Sequence, residues 1–372
     1  MHLNIALLGG DGIGPVVIAQ AVKCLKAVEE TFNHQFTFTK APVGAVAIAK
    51  TGKPLPEETI AICEASDAIL FGATGALKYD NNPKAIVRPE QALFQLRKEL
   101  GLFANIRPVK VFPDLADNSL LPKKVISGTD LVIYRELTGG IYFEEKSLSE
   151  DGTIATDLCK YSVEEIARIT HLAFKAAKKR KRKLTLVDKA NVLETSRLWR
   201  KVVTEIGKSY PEVELECLYI DNAVVQMSMH PSTFDVILTE NMFGDIISGL
   251  GSVIIGSIGL LPSASVGSEN AMFSPFHGSY PQAKGKNIAN PVAAIFSAVL
   301  LLQHFGLHEE ARAVSRAAQK SFKKGVVTTD ILGSGKYGTD YVGDFIAENI
   351  VDSDDNLNFN DENIWLGRST II

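Results

Sequence analysis

The chain is poor in everything that marks a secreted, membrane-bound or nucleic-acid-binding protein. It has four cysteines, Cys24, Cys63, Cys159 and Cys217, widely separated and with no CxxC pair. That spacing excludes a zinc ribbon or a disulfide framework and predicts reduced thiols. The longest apolar run, around VIIGSIGLLP, is too short and too glycine-rich to cross a bilayer. The first residues, MHLNIALLGG, read as a strand and leave no room for a signal peptide. With a net charge of −4 and pI near 6, nothing draws the chain generally to nucleic acid or an anionic membrane. The basic block at 178–183, KKRKRK, reads as the solvated end of an amphipathic helix rather than a nucleic-acid patch. Repeats and low-complexity segments are absent, which excludes a solenoid. These absences predict a soluble, cytoplasmic globular protein.

What is present is an alternation. Short, β-branched runs (NIALLG, DAILFGA, TDLVIYREL, KLTLVDKAN, VELECLYID, FDVILTEN) alternate with helical periodicity. At 372 residues, 46% of them hydrophobic, that pattern predicts an α/β protein of two domains with much parallel pairing. Several runs end in polar pairs: Arg135-Glu136, Asp188-Lys189, Asp221-Asn222 and Glu240-Asn241. The carboxyl ends of strands line the ligand crevice of open sheets, so these pairs are expected to converge on one cleft. The glycine-rich stretch LLGGDGIGPVV at 7–17 suggests a dinucleotide loop, but its spacing fails the GxGxxG test from either Gly10 or Gly12. GSGKYG at 333–338 likewise fails as a phosphate-binding P-loop.

Nine segments, taken together and in order, resemble the isocitrate/isopropylmalate family of β-decarboxylating dehydrogenases, and its isopropylmalate branch most of all. Among them are GDGIGP at 10–15, GATGALKYD at 72–80, LRKELGLFANIRP at 96–108, RELTGGIYF at 135–143, VDKANVLETSRLWR at 187–200, ENMFGDIISG at 240–249 and HGSYPQAKGKNIANP at 277–291. The resemblance implies two α/β domains sharing one twisted sheet, without a Rossmann fold. Their expected extents are 1–103 plus 257–372, and 104–256 with an arm near 138–160. It implies a homodimer whose active sites draw on both subunits, and NAD with Mg2+ or Mn2+ as cofactors.

By the same resemblance, Arg97, Arg107 and Arg135 bind the malate carboxylates, Asp221 and Asp245 hold the metal with Asp221 also touching substrate, Lys189 is the base and Tyr142 the acid. The substrate side chain, isopropyl in 3-isopropylmalate, is expected against Leu93 and Phe94, with Val192 across the interface. Ile13, Ala73, Thr74, Gly75, Glu90, His277, Gly278, Ser279, Ala283 and Asn290 are the expected cofactor contacts. The chain departs from the family pattern in three places: Gly249 replaces a third metal-site Asp, Gln282 replaces an Asp expected at the ribose, and Ser274 replaces a Glu. These departures leave two alternatives open, a dehydrogenase of another alkylmalate or D-malate, and a catalytically weak regulatory subunit.

Overall fold

The computed structural model describes residues 1–80, 82, 85–331 and 335–351. The tail at 352–372 and part of the segment at 333–338 lie outside the described residues. Ten strands form one mixed sheet: β1 (His2–Gly10), β2 (Gln35–Lys40), β3 (Ala68–Ala73), β4 (Ala104–Lys110), β5 (Asp130–Glu136), β8 (Lys183–Asp188), β9 (Glu214–Tyr219), β10 (Val236–Thr239), β11 (Pro262–Val266) and β12 (Ala271–Pro275). β6 (Lys146–Leu148) and β7 (Ala155–Asp157) make a separate exposed ribbon. The strand order is β2-β1-β3-β12-β11-β4-β5-β10-β8-β9.

The expected parallel pairing holds at both flanks, where β1 pairs with β2 and β3, and β10 with β5 and β8. The centre is antiparallel: β4 pairs with β5 and β11, and β11 with β12. β3 and β10 are buried along their whole length because helices cover both faces of the sheet, which is why they read as unbroken apolar runs. Helix Val292–His304 is apolar nearly all round for the same reason, with eleven buried residues inside the fold. Its first turn is tied by Asn290, whose side-chain oxygen accepts from the Val292 N–H at 3.0 Å.

The basic block departs from expectation at Arg180. Helix Val163–Lys179 opens on a capping box of Ser162 and Glu165 and ends before the block does. Arg180 turns inward, donating at 2.7 Å to Asp235 and to Asp130, with its side chain 2% exposed. Lys183 already belongs to β8 and pairs with Glu216. The expected solvated end is present in Lys178, Lys179, Lys181 and Arg182, which are exposed, and the buried ion pair of Arg180 pins the junction from helix to strand.

The stretch at 10–15 is a junction as well. The Asp11 N–H donates to the Ala73 carbonyl at 2.7 Å, and the Ile13 N–H to the Ser279 carbonyl at 2.8 Å. The buried Asp11 carboxylate accepts from the N–H groups of Ala45 (2.8 Å), Val46 (3.1 Å) and Gly75 (3.0 Å). At Gly12, φ is +58° and a β-carbon would lie 1.9 Å from the Ser279 oxygen, so only glycine fits there. The glycines let three loops of the protein meet.

Candidate active site

Register sets the first pair of arginines. Asn105 on β4 stands opposite Arg135 on β5, so Arg107, two residues along β4, shares the face of Arg135. Arg97 reaches the same place from helix Gln91–Glu99, and Asp245 comes from helix Asn241–Ile255. These four residues line one cavity of about 310 Å3 together with Ala73, Thr74, Glu90, Leu93, Phe94, Tyr142, His277 and Gly278.

The cavity is electrostatically unbalanced. All three arginines are buried, and among the described residues Asp245 is the one carboxylate bonded to any of them. It accepts from Arg107 at 3.4 Å and from Arg135 more closely. The Nε atoms of Arg97 and Arg107 have no hydrogen-bond partner. Burial first, then the charge of Arg135, lowers the pKa of Arg97 to about 9 and pushes that of Arg107 well below the ordinary arginine value. Unpaired buried cations are costly, and an anion in the cavity relieves that cost.

The walls add a second chemistry. Leu93 and Phe94 give an apolar side, with Phe94 edge-on to Phe143 at 5.5 Å. Phe276 lies under the Arg107 guanidinium, 4.5 Å from ring centre to Cζ. Tyr142 stands near both Arg135 and Asp245; burial and the Asp245 charge raise its pKa, keeping the hydroxyl protonated. The turn that carries it is fixed by buried Glu136, which accepts from the Thr138 N–H (2.9 Å) and the Gly139 N–H (2.8 Å).

The nicotinamide-type cofactor expected here meets a compatible wall. Gly278 has open space where a side chain would stand. The Nε2 of His277 is buried without a partner, while Nδ1 lies 2.9 Å from the Gly278 carbonyl. Burial lowers the pKa of His277, so the ring is neutral and its free nitrogen is a site for a ligand polar group.

Not every expected residue arrives. Ile13 sits in the hydrophobic core and does not line the cavity. Neither do Gly75, Ser279, Ala283 or Asn290. The Ser279 carbonyl is taken by Ile13 and the Asn290 side chain by Val292 and Asp330. Glu90 and Ser279 close on Gly75, where an added β-carbon would meet them at 3.0 and 2.8 Å.

Lys189 and Asp221 pair with each other at 2.5 Å outside the cavity lining, and Val192 is 60% exposed. The expected convergence of strand-end polar pairs is therefore partial: Arg135 and Asn241 meet, Asp188 is held by Arg200, and Lys189 and Asp221 stand apart. Within one chain, no group of three or more His, Cys, Asp or Glu capable of holding a metal occurs among the described residues. Asp245 is the carboxylate beside the arginines, so a divalent ion there would take its other ligands from substrate, water or a second chain.

Sequence reasoning missed Asn241, Gly244, Ser263 and Phe276 as parts of this site. Asn241 receives two N–H groups of Arg135, at 3.1 and 2.8 Å. A β-carbon on Gly244 would lie 2.6 Å from Arg135 Cγ, so this glycine is the bed for the arginine stem. Asn241 belongs to a strand-end polar pair, which was a usable signal; Phe276 and Ser263 carried none.

Comparison with known proteins shows the family. The family model for isocitrate/isopropylmalate dehydrogenase matches residues 4–346. The chain is 48% identical over 352 residues to a 3-isopropylmalate dehydrogenase of Bacteroides fragilis, covering 94% of this chain and 99% of that protein. It is 49% identical over 345 residues to the 3-isopropylmalate dehydrogenase of Bacillus subtilis, covering 91% and 94%. Among solved structures, an isocitrate dehydrogenase from Methylococcus capsulatus superposes with a TM-score of 0.84 at 33% identity, covering 94% and 99%. A β-decarboxylating dehydrogenase from Thermococcus kodakarensis gives 0.76 at 35% identity, covering 94% and 96%.

Proposed function

From the premise that the chain belongs to the isocitrate/isopropylmalate dehydrogenase family, we propose that it oxidises and decarboxylates 3-isopropylmalate to 4-methyl-2-oxopentanoate and CO2, reducing NAD, as a cytoplasmic enzyme of leucine biosynthesis. The observation that carries this reading is a cavity with three buried arginines on one side and Leu93 and Phe94 on the other. Guanidinium forks suit the two carboxylates of a malate, and the apolar side suits a branched alkyl group. A third carboxylate, as in isocitrate, would meet Leu93 and Phe94 instead of a polar partner.

In the proposed reaction, the arginines fix the malate so that its C2–H faces the Ala73–Thr74 and His277–Gly278 wall. Lys189 takes the C2 hydroxyl proton as the C2 hydride leaves, giving the 2-keto acid. The carboxylate on C3 departs as CO2, leaving its electron pair as an enolate. The protonated hydroxyl of Tyr142 then delivers a proton to C3. NAD, when bound, accepts the hydride, and Mg2+ or Mn2+ stabilises the developing oxyanion.

Lys189, Asp221 and Val192 must reach this cavity from a second copy of the chain. Exposed apolar residues support that arrangement: Val225 and Met229 on helix Ile220–Met229, Ile246 and Val253 on helix Asn241–Ile255, and Leu148 and Ile154 on the ribbon. We propose a homodimer covering these faces, in which Asp221 of one copy and Asp245 of the other hold the metal. The two halves of the sheet then act as domains spanning 1–103 with 257–372, and 104–256. No helix of the described residues is long and apolar enough to cross a membrane.

The test follows NADH formation by purified protein with 3-isopropylmalate, isocitrate, D-malate and homoisocitrate, with and without Mn2+. Metal-dependent turnover greatest on 3-isopropylmalate is expected. Greater turnover on another of these acids overturns the substrate assignment, and turnover on none favours a regulatory subunit.

A further inference from the structure

Asn241 has contacts out of proportion to a helix start. It is 1% exposed, at the first turn of helix Asn241–Ile255. Its side-chain oxygen accepts from Arg135 Nε at 3.1 Å and from Nη2 at 2.8 Å, while Arg135 Nη1 donates to Asp245. Its side-chain nitrogen donates to the Gly139 carbonyl at 3.1 Å, inside the turn that leads to Tyr142. Its backbone N–H donates to the Tyr161 hydroxyl at 3.0 Å, which donates in turn to Glu240 at 2.9 Å. Tyr161 is itself held edge-on against Trp199.

We propose that Asn241 is the positioning residue of this site: one buried amide sets the direction of Arg135 and anchors the Tyr142 turn, and does so without neutralising Arg135. The inference rests on the dehydrogenase reading above. Its physical core is the choice of an amide. A carboxylate at 241 would accept the same two N–H groups, but as an ion pair, and the arginine would have less charge left for a substrate carboxylate. It would also lose the donor to Gly139, placing an anionic oxygen against a carbonyl. The amide oxygen accepts twice, its nitrogen donates, and its charge is zero, so both neighbours are satisfied. Gly244 completes the arrangement by leaving room for the Arg135 stem.

The test compares Asn241→Asp, which keeps size and shape, with Asn241→Ala, which removes the anchor but leaves Arg135 charged. Steady-state constants are measured for 3-isopropylmalate and NAD, and D-malate binding is measured by calorimetry without turnover. For Asn241→Asp, a KM for 3-isopropylmalate raised tenfold or more is expected, with a parallel loss of D-malate affinity. The KM for NAD is expected to stay within twofold. Asn241→Ala is expected to raise the substrate KM less than Asn241→Asp, and kcat is expected to fall in both as the Tyr142 turn loosens. A substrate KM and a D-malate affinity within twofold of the parent in Asn241→Asp overturn the proposal, as does a larger KM rise in Asn241→Ala. Should the parent turn over none of the substrates, the dehydrogenase reading fails by itself, and D-malate binding still decides the role of Asn241. If the parent does not bind D-malate either, both fall.

Discussion

Replacing Gly249 by Asp tests the metal site where this chain departs from its family. Gly249 lies one helical turn beyond Asp245 on helix Asn241–Ile255, and a β-carbon added there meets no heavy atom within 4 Å. The substitution therefore has no steric cost within the chain. Exchanging a helical glycine for aspartate gains about 0.3 kcal/mol of helix propensity. Setting a second carboxylate four residues from Asp245 costs about 0.2–0.5 kcal/mol. These nearly cancel, so the metal-free variant should melt within about 2 °C of the parent.

With a divalent ion the balance changes. At a water-like dielectric, which sets the lower end, a unit charge pair at about 4 Å is worth about 1 kcal/mol, hence about 2 kcal/mol for a doubly charged ion. After the carboxylate repulsion is subtracted, about 1.5 kcal/mol remains, or about tenfold in affinity. Mn2+ titrations of turnover and of melting temperature should both shift to about tenfold lower concentration. A turnover midpoint within twofold of the parent, with no added Mn2+-dependent rise in melting temperature, would refute the assignment of this gap to the metal site.

Arg97→Met should raise the substrate KM by about 10- to 100-fold, the worth of charge-assisted hydrogen bonds of about 1.5–3 kcal/mol, yet raise the melting temperature of the ligand-free protein. The sign follows from the lowered pKa: folded Arg97 binds its proton less tightly than unfolded, so its burial penalty is full below pH about 9 and is relieved above it. The stability gain of the variant over the parent should thus be largest below pH 9 and shrink above. A lower melting temperature at pH 7 would contradict this. Lys189→Met should cut kcat by about 10²- to 10⁴-fold with the oligomeric state unchanged by light scattering; a loss under tenfold removes Lys189 from the base role. Arg180→Met should cost about 3–5 kcal/mol in urea unfolding, because it strands Asp235, whose side chain is 1% exposed. A loss below about 1 kcal/mol would show that the pair is not structural.

The chain's own pattern determined a good deal. Largely apolar runs located β1, β3, β5, β8 and β10, because strands covered on both faces are apolar nearly throughout, whereas β9 (ELECLY) is a partly exposed edge strand with alternating glutamates. Glycine spacing at 7–17 was enough to exclude a Rossmann loop, since the fingerprint demands glycine at fixed offsets. The arginines, Tyr142 and Asp245 were legible through motifs, and the fold brings them to one cavity.

Other features were decided by tertiary structure. β4 (ANIRPVK) and β11 (PSASV) carry Pro, Ser, Ala and Arg, residues with little strand preference of their own, so neither announced itself. They are strands because their neighbours supply hydrogen-bonding edges and burial. Their antiparallel register then puts Arg107 beside Arg135, a relation no local pattern encodes. In the basic block, composition gave the exposed charges of Lys178, Lys179, Lys181 and Arg182 but not the partners waiting for Arg180 across the fold. That the loop carrying Ile13 clasps Ala73 and Ser279 was likewise invisible in the local pattern. Residue types set which chemistry was available; long-range contacts, which depend on how distant segments pack, decided which groups meet and which charges stay unpaired.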